Sequence, residues 1–232
     1  MTVKYAFTRS LPVMAGYIVL GIGFGILLES KGYGPLWALV MSLFIYAGSM
    51  QYVSIDLLTG GATLIATAIM TFMVNARHLF YGISMLKRYK DTGLYKPYLI
   101  FGLTDETYSL VCSGDVPKGV EQNKYFFLLT LFNHCYWVTG SVIGALLGKV
   151  LPFDTKGIDF SMTALFLVVF IDQWRSTSDH ASALIGVGAS AVCLLIWGAD
   201  GFLIPAMIAI TILLIARRQI QEKKADSKKN SL

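Results

Sequence analysis

Charged side chains are scarce in this sequence: Asp, Glu, Lys and Arg make up 14% of its 232 residues, where a soluble domain carries about a quarter. That shortage excludes an ordinary solvated surface, because the charge that exists is clustered between long apolar runs. Cysteine and histidine are scarcer still. Cys112, Cys135 and Cys193 show no C-x-x-C spacing, so neither a disulfide framework nor a zinc site is expected. Three histidines, His78, His134 and His180, are too few for a histidine-rich metal centre, and no cofactor is expected. The phosphate-loop, H-E-x-x-H and G-x-S-x-G patterns are missing too, which removes the common signatures of an ATPase, a zinc protease and a serine hydrolase.

What is present is hydrophobic: 55% of the chain. Runs such as "TALFLVVFI" and "FLIPAMIAITILLIA" do not alternate apolar with polar residues, as the strands of a membrane barrel do. The expected fold class is all-α, a polytopic helical membrane protein. No cleavable signal peptide is expected. A helix needs about 20 residues to cross the hydrocarbon, and candidate segments lie at roughly 11–28, 35–58, 62–86, 98–112, 125–147, 160–174, 183–197 and 202–216. This predicts a single membrane domain over residues 1–216 and a basic, solvated tail over 217–232, with seven to eight membrane segments.

The net charge of +5 sits at the ends of apolar runs, a placement that reads as topology rather than as a nucleic-acid surface. "KRYKDTGLYK" and "ARRQIQEKKADSKKNSL" are the most basic flanks, so both are expected on the cytoplasmic side. An even number of crossings then separates them, although five candidate segments lie between. The fourth, "PYLIFGLTDETYSLVC", carries Asp105 and Glu106 and is the one expected to be re-entrant or broken. Seven crossings with an external N-terminus follow, an orientation that Lys4 and Arg9 oppose.

Two segments are rich in small residues. The first has Gly16, Gly21, Gly23 and Gly25; the fifth has Gly140, Gly144 and Gly148, a four-residue repeat on one helix face. Such faces allow close backbone approach in lipid, and these two are expected to need a partner to pack against. The stretches that follow them resemble each other: both run from G-x-L-L through Lys-Gly to an apolar run ending in Gln51-Tyr52 or Gln173-Trp174. A weak inverted repeat of this kind is a common trait of transporter folds.

The third segment contains Asn75, Arg77 and His78 within "TFMVNARHLFYG". Thr63, Thr67, Thr71, Asn75 and His78 recur at helical spacing and form a polar stripe. An arginine near mid-span costs at least ~2.5 kcal/mol on insertion scales, so Arg77 needs an acidic partner or a wet cavity. Asp105, Glu106, Asp172 and Asp56 are the candidates, the last two lying near segment ends. A carboxylate in an apolar segment can gain and lose a proton near neutral pH, as a proton-coupled carrier requires. His134 is expected as a buried neutral histidine bonded to a neighbouring helix, and His180 as solvated. A carrier fits these residues best. An intramembrane enzyme, or a channel or assembly scaffold with structural polar residues, remains open.

At "FGILLES", "IYAGSMQ", "NARHLFYG" and "FGLTDETYS" the chain resembles the AzlC family of branched-chain amino-acid exporters. The resemblance is most specific in N-x-R-H and T-D-E and covers Gly16 to about Ser109. It implies a large transporter subunit in the cell membrane, working with a small, four-helix AzlD-type membrane partner and exporting leucine, isoleucine, valine or related amino acids. No fused partner is expected within this length. A zwitterionic substrate needs a cation, an anion or carbonyls, and an apolar pocket. Arg77, Asn75, Gln51, Phe72 and Tyr81 are therefore the expected substrate-binding residues, with Met73 and Phe80 as further wall. Asp105, Glu106 and His78 are the expected proton-coupling residues.

Overall fold

The computed structural model describes residues 1–112, 116–150 and 179–229, with isolated positions between 160 and 177. The chain divides into two compact units, residues 1–164 and 165–232. In the first, the helices are α1 (Thr2–Ser30), α2 (Pro35–Phe44), α3 (Gly48–Thr59), α4 (Leu64–Asn75), α5 (Arg77–Met85), α6 (Lys96–Phe101), α7 (Asp105–Cys112) and α8 (Gln122–Val150). The second contains α9 (Ala181–Gly201) and α10 (Leu203–Lys229). Among the described residues there is no strand.

Helices α1 and α8 form the spine of the first unit. Each has 29 residues and so extends about 43 Å at 1.5 Å per residue, more than the ~30 Å of hydrocarbon. Their glycines interlock. A Cβ on Gly21 would stand 2.9 Å from the Ser141 amide nitrogen, and one on Gly140 would stand 2.8 Å from the Ile18 carbonyl. A Cβ on Gly25 or Gly144 would fall on the opposing backbone itself. This overturns one expectation: the small-residue faces of the first and fifth segments need no outside partner, because they are complementary to each other. Tyr17, Phe24, Leu28 and Trp137 fill the core beside this seam.

The segments between the spine helices are broken. The stretch 35–58 divides around Tyr46, whose φ of 42° is unusual for a bulky residue and is held by a ring contact of 4.1 Å with His134. The stretch 62–86 bends by 49° between α4 and α5. The stretch 98–112 divides at Gly102–Thr104, so the fourth segment is broken as its carboxylates led us to expect. Two motif glycines let these breaks approach α8. A Cβ on Gly48 would meet the Trp137 ring at 3.0 Å, and one on Gly102 would fall on the Thr130 side chain.

Three described helices are long and apolar enough to cross a membrane, Thr2–Ser30, Gln122–Val150 and Ala181–Gly198, and the bent α4–α5 pair passes the same test when its two helices are taken together, as a broken span or a re-entrant loop. In the second unit α9 kinks at Gly198, where φ is 71°. Arg217 of α10 bonds Asp179 and, at 2.6 Å, the Ser182 hydroxyl. The α10 helix continues to Lys229, through most of the basic tail. Asp172 and Gln173, and with them much of the second stretch of the expected repeat, lie outside the described residues.

Candidate functional site

The three breaks deliver their polar residues to one place. Ser49 is the second residue of α3, Arg77 the first of α5 and Asp105 the first of α7. Arg77 forms an ion pair with Asp105, and its Nη2 donates to Ser49 Oγ at 2.7 Å. A cation at a helix N-terminus opposes the helix dipole, whereas a carboxylate there favours it. Arg77 therefore depends on Asp105, and Asp105 suits its own helix. The two side chains remain 31% and 22% exposed, so this pair faces an accessible space rather than a sealed core. Among the described acids expected as partners for Arg77, Asp105 forms the ion pair.

Glu106 points elsewhere. Its Oε2 accepts a 2.6 Å hydrogen bond from the Tyr17 hydroxyl of α1, and Tyr17 also lies 2.6 Å from Thr104 Oγ1. Thr104 donates to Thr107 at 3.1 Å, and Asn133 Nδ2 of α8 donates to Thr107 at 3.0 Å. Tyr17, Thr104, Thr107 and Asn133 are all buried. The Tyr46 hydroxyl is enclosed near Tyr17 and Thr107 but outside hydrogen-bond geometry, and Asn133 Oδ1 is likewise without a partner. The two adjacent carboxylates of T-D-E thus have different neighbours, a guanidinium for Asp105 and hydroxyls for Glu106.

The other expected site residues divide into three groups. Gln51 is fully buried and committed on both sides: its Nε2 donates to Ser42 at 3.1 Å, and its Oε1 accepts from Trp137 Nε1 at 2.8 Å. It ties α3 to α2 and α8. His78 and Tyr81 lie by the ion pair, and Asn75 is tied to His78. Asn75 Oδ1 is enclosed and without a partner, and the Asn75 carbonyl accepts from His78 Nδ1 at 3.1 Å. Tyr81 stacks on Tyr108 with ring centres 4.5 Å apart, its hydroxyl beside Asp105. Phe72 is not brought to this cluster: it is 65% exposed on α4, as Phe80 is on α5 at 61%. His134 is buried between Tyr98, at 3.0 Å from Nδ1, and the Ser42 carbonyl, at 3.1 Å from Nε2, as expected of a structural histidine. In the second unit the His180 ring stacks on Trp174 at 4.1 Å.

A cavity of about 440 Å³ opens next to Asn75 and His78, walled by Leu79, Ile83, Ile100 and Leu103. Small-molecule sites fall in the same range, roughly 300–1,000 Å³. Sequence reasoning missed Tyr17, Ser49, Thr104, Thr107 and Asn133. Four of these carry a signal in hindsight: Ser49, Thr104 and Thr107 lie inside the quoted motifs, and Asn133 interrupts an apolar run beside His134. Tyr17, one of 12 tyrosines, carries none.

The family model described as "AzlC protein" matches residues 12–151. The chain is 45% identical over 220 residues to the "Branched-chain amino acid transport protein AzlC" of Bacillus subtilis, covering 95% of this chain and 87% of that protein. It is 42% identical over 227 residues to an "Uncharacterized membrane protein" of Haemophilus influenzae, covering 97% and 93%. It is 28% identical over 215 residues to the "Inner membrane protein YgaZ" of Escherichia coli, covering 88% and 84%. No solved structure matches.

Proposed function

Because this chain belongs to the AzlC family, we propose that it exports branched-chain or related apolar amino acids from the cell. In this reading it is the large subunit of a proton-driven carrier in the cell membrane and works with a small AzlD-type membrane partner. The observation that carries the proposal is the Arg77–Asp105 pair at the meeting of three helix breaks; an apolar cavity of about 440 Å³ opens along α5 from His78, the residue that follows Arg77. A zwitterionic amino acid carries one charge of each sign on the same carbon, and an open pair offers a complement to both. Its α-carboxylate takes the guanidinium of Arg77, and its ammonium takes Asp105 and the Asn75 amide oxygen. The branched side chain enters the cavity between α5 and α6. Tyr81 closes the polar end, while Gln51 shapes the site by fixing α3.

Broken helices support the same reading, since transporters bind substrate where a helix is interrupted and its terminal polar groups are open to a ligand. The basic flank at Lys87–Lys96 and the basic C-terminal tail support a cytoplasmic C-terminus. The test is efflux. Cells loaded with leucine- or isoleucine-rich dipeptide should release the amino acid faster when this chain and its partner are both present. Release unchanged by deletion of the chain would falsify the substrate class.

A further inference from the structure

Four contacts link Glu106 to Asn133 through three hydroxyls, and we propose that this chain of contacts makes Glu106 the proton-binding group of the protein, with the direction of the hydroxyls recording its state. The inference rests on the proton-driven transport proposed above.

Each hydroxyl has one hydrogen to give. With Glu106 ionised, Tyr17 donates to its Oε2 at 2.6 Å. The 2.6 Å contact between Tyr17 and Thr104 must then hold the Thr104 hydrogen, and Thr104 turns from donating to Thr107 to accepting from it. The order runs from the Asn133 amide toward the carboxylate. With Glu106 protonated, the order reverses: Glu106 donates to Tyr17, Tyr17 to Thr104, and Thr104 to Thr107. That last step has the direction in which Thr104 faces Thr107. The proton balance is simple. One proton enters from water onto the carboxylate, and three hydroxyl hydrogens rotate without leaving their oxygens, so no tyrosine or threonine becomes charged.

Reversal leaves the Thr107 hydrogen in need of an acceptor. Two oxygens near Thr107 lack a partner, Asn133 Oδ1 and Tyr46 Oη, the latter also neighbouring Tyr17. Tyr46 is 3% exposed and Asn133 fully buried, and a turn of the Asn133 amide presents its oxygen to Thr107. Spare accepting capacity thus lies at the end of the chain that needs it.

Neighbouring groups separate Glu106 from the other candidates. Asp105 is paired with Arg77, and His78 Nδ1 is committed to the Asn75 carbonyl. The groups facing Glu106 are Tyr17 of α1, Tyr46 of the α2–α3 link, Arg77 and Tyr81 of α5 and Asp105 of α7, with His134 behind the Tyr46 ring. Tyr17 belongs to the glycine-locked spine, whereas Glu106 lies on the short helix beyond the break at Gly102–Thr104. Proton binding therefore acts on the tie between α7 and the spine.

The test is a pH-difference infrared spectrum of the purified full chain. A protonated-carboxyl band is expected that disappears in Glu106→Gln and persists in Asp105→Asn. In Tyr17→Phe its midpoint moves by about one pH unit, a tenfold change in proton affinity, because a hydrogen bond to a charged group is lost; Tyr5→Phe, outside the chain of contacts, leaves it in place. Tyr17→Phe also decides the matter if Glu106→Gln fails to fold. A band that survives Glu106→Gln, vanishes with Asp105→Asn, or ignores Tyr17→Phe overturns the inference. Efflux indifferent to a pH gradient, with the spectra as expected, removes the transport reading and leaves the proton site standing. Proton-driven efflux with the band assigned to Asp105 does the reverse.

Discussion

Gly25 of α1 lies so close to Ser141 of α8 that a methyl group on the glycine would fall on the Ser141 carbonyl oxygen. The contact is backbone against backbone, so no side-chain rotation relieves it. Gly25→Ala and Gly144→Ala should therefore force α1 and α8 apart, costing about 1–3 kcal/mol or more. Gly16 has nothing within 4 Å of a built Cβ, so Gly16→Ala should be neutral, or stabilising by up to ~1 kcal/mol through helix propensity. Thermal unfolding in mild detergent measures the difference. Equal midpoints for all three variants would remove the glycine seam as the spine of the fold.

Gln51 separates a structural role from a binding one. Truncation to Ala leaves the Trp137 N–H without its acceptor and Ser42 without its donor, both in buried surroundings. The expected loss is about 1–3 kcal/mol for the stranded donor. Membrane abundance should fall, while efflux per molecule at matched abundance stays close to that of the parent chain. Normal abundance with abolished efflux would return Gln51 to the substrate site.

How much of this was legible in the sequence depends on what each feature requires. The glycine repeat announced a close approach, but its period cannot name the opposing face, and α8 lies more than 90 residues from α1. The break in the fourth segment was readable because Asp105 and Glu106 interrupt its hydropathy. Those in the second and third were not, since "LFIYAGSMQY" and "MVNARHLF" keep an apolar composition across the break, and alanine at position 76 is a good helix former. The threonine stripe runs on to His78 only if the helix is straight across that bend. Phe72 and Tyr81 share a wall on chemistry alone, whereas the two belong to helices 49° apart. The demand of Arg77 for an acid was legible from charge alone; which acid answers it is set by the break that puts Asp105 first in α7.

In the second unit, Arg217 bonds the exposed Asp179, and the Ala181 amide donates to Asp179 Oδ1 at 3.1 Å. The Arg217 hydrogen bond holds the Asp179 carboxyl below the usual carboxylate range. A group whose folded value is depressed stabilises above its unfolded value, about 3.9, and loses that contribution as pH falls through the lower folded value. Asp179→Asn should therefore loosen the start of α9 at neutral pH and change little in strong acid. Hydrogen exchange at residues 181–184 reads this directly. Equal protection of the two proteins at neutral pH would mean that the pair does not anchor α9.

Arg77 is where the two readings of the site part most sharply. Its guanidinium serves Asp105 and Ser49 together, a fork that lysine cannot reproduce from a single point of charge. Arg77→Lys should insert normally yet lose most efflux. Removing the charge outright strands Asp105 at an exposure between that of a surface pair and that of a buried one, so Arg77→Gln should cost about 1–3 kcal/mol. Adding Asp105→Asn removes the stranded charge and should restore membrane abundance. If the pair receives a zwitterionic substrate, abundance returns in the double variant but efflux does not, because neither the carboxylate nor the ammonium of the amino acid finds its complement. If the pair only braces α5 against α7, abundance and efflux return together. Efflux and abundance measured side by side in these three variants distinguish the outcomes, and recovery of both in the double variant would reduce Arg77 to a brace.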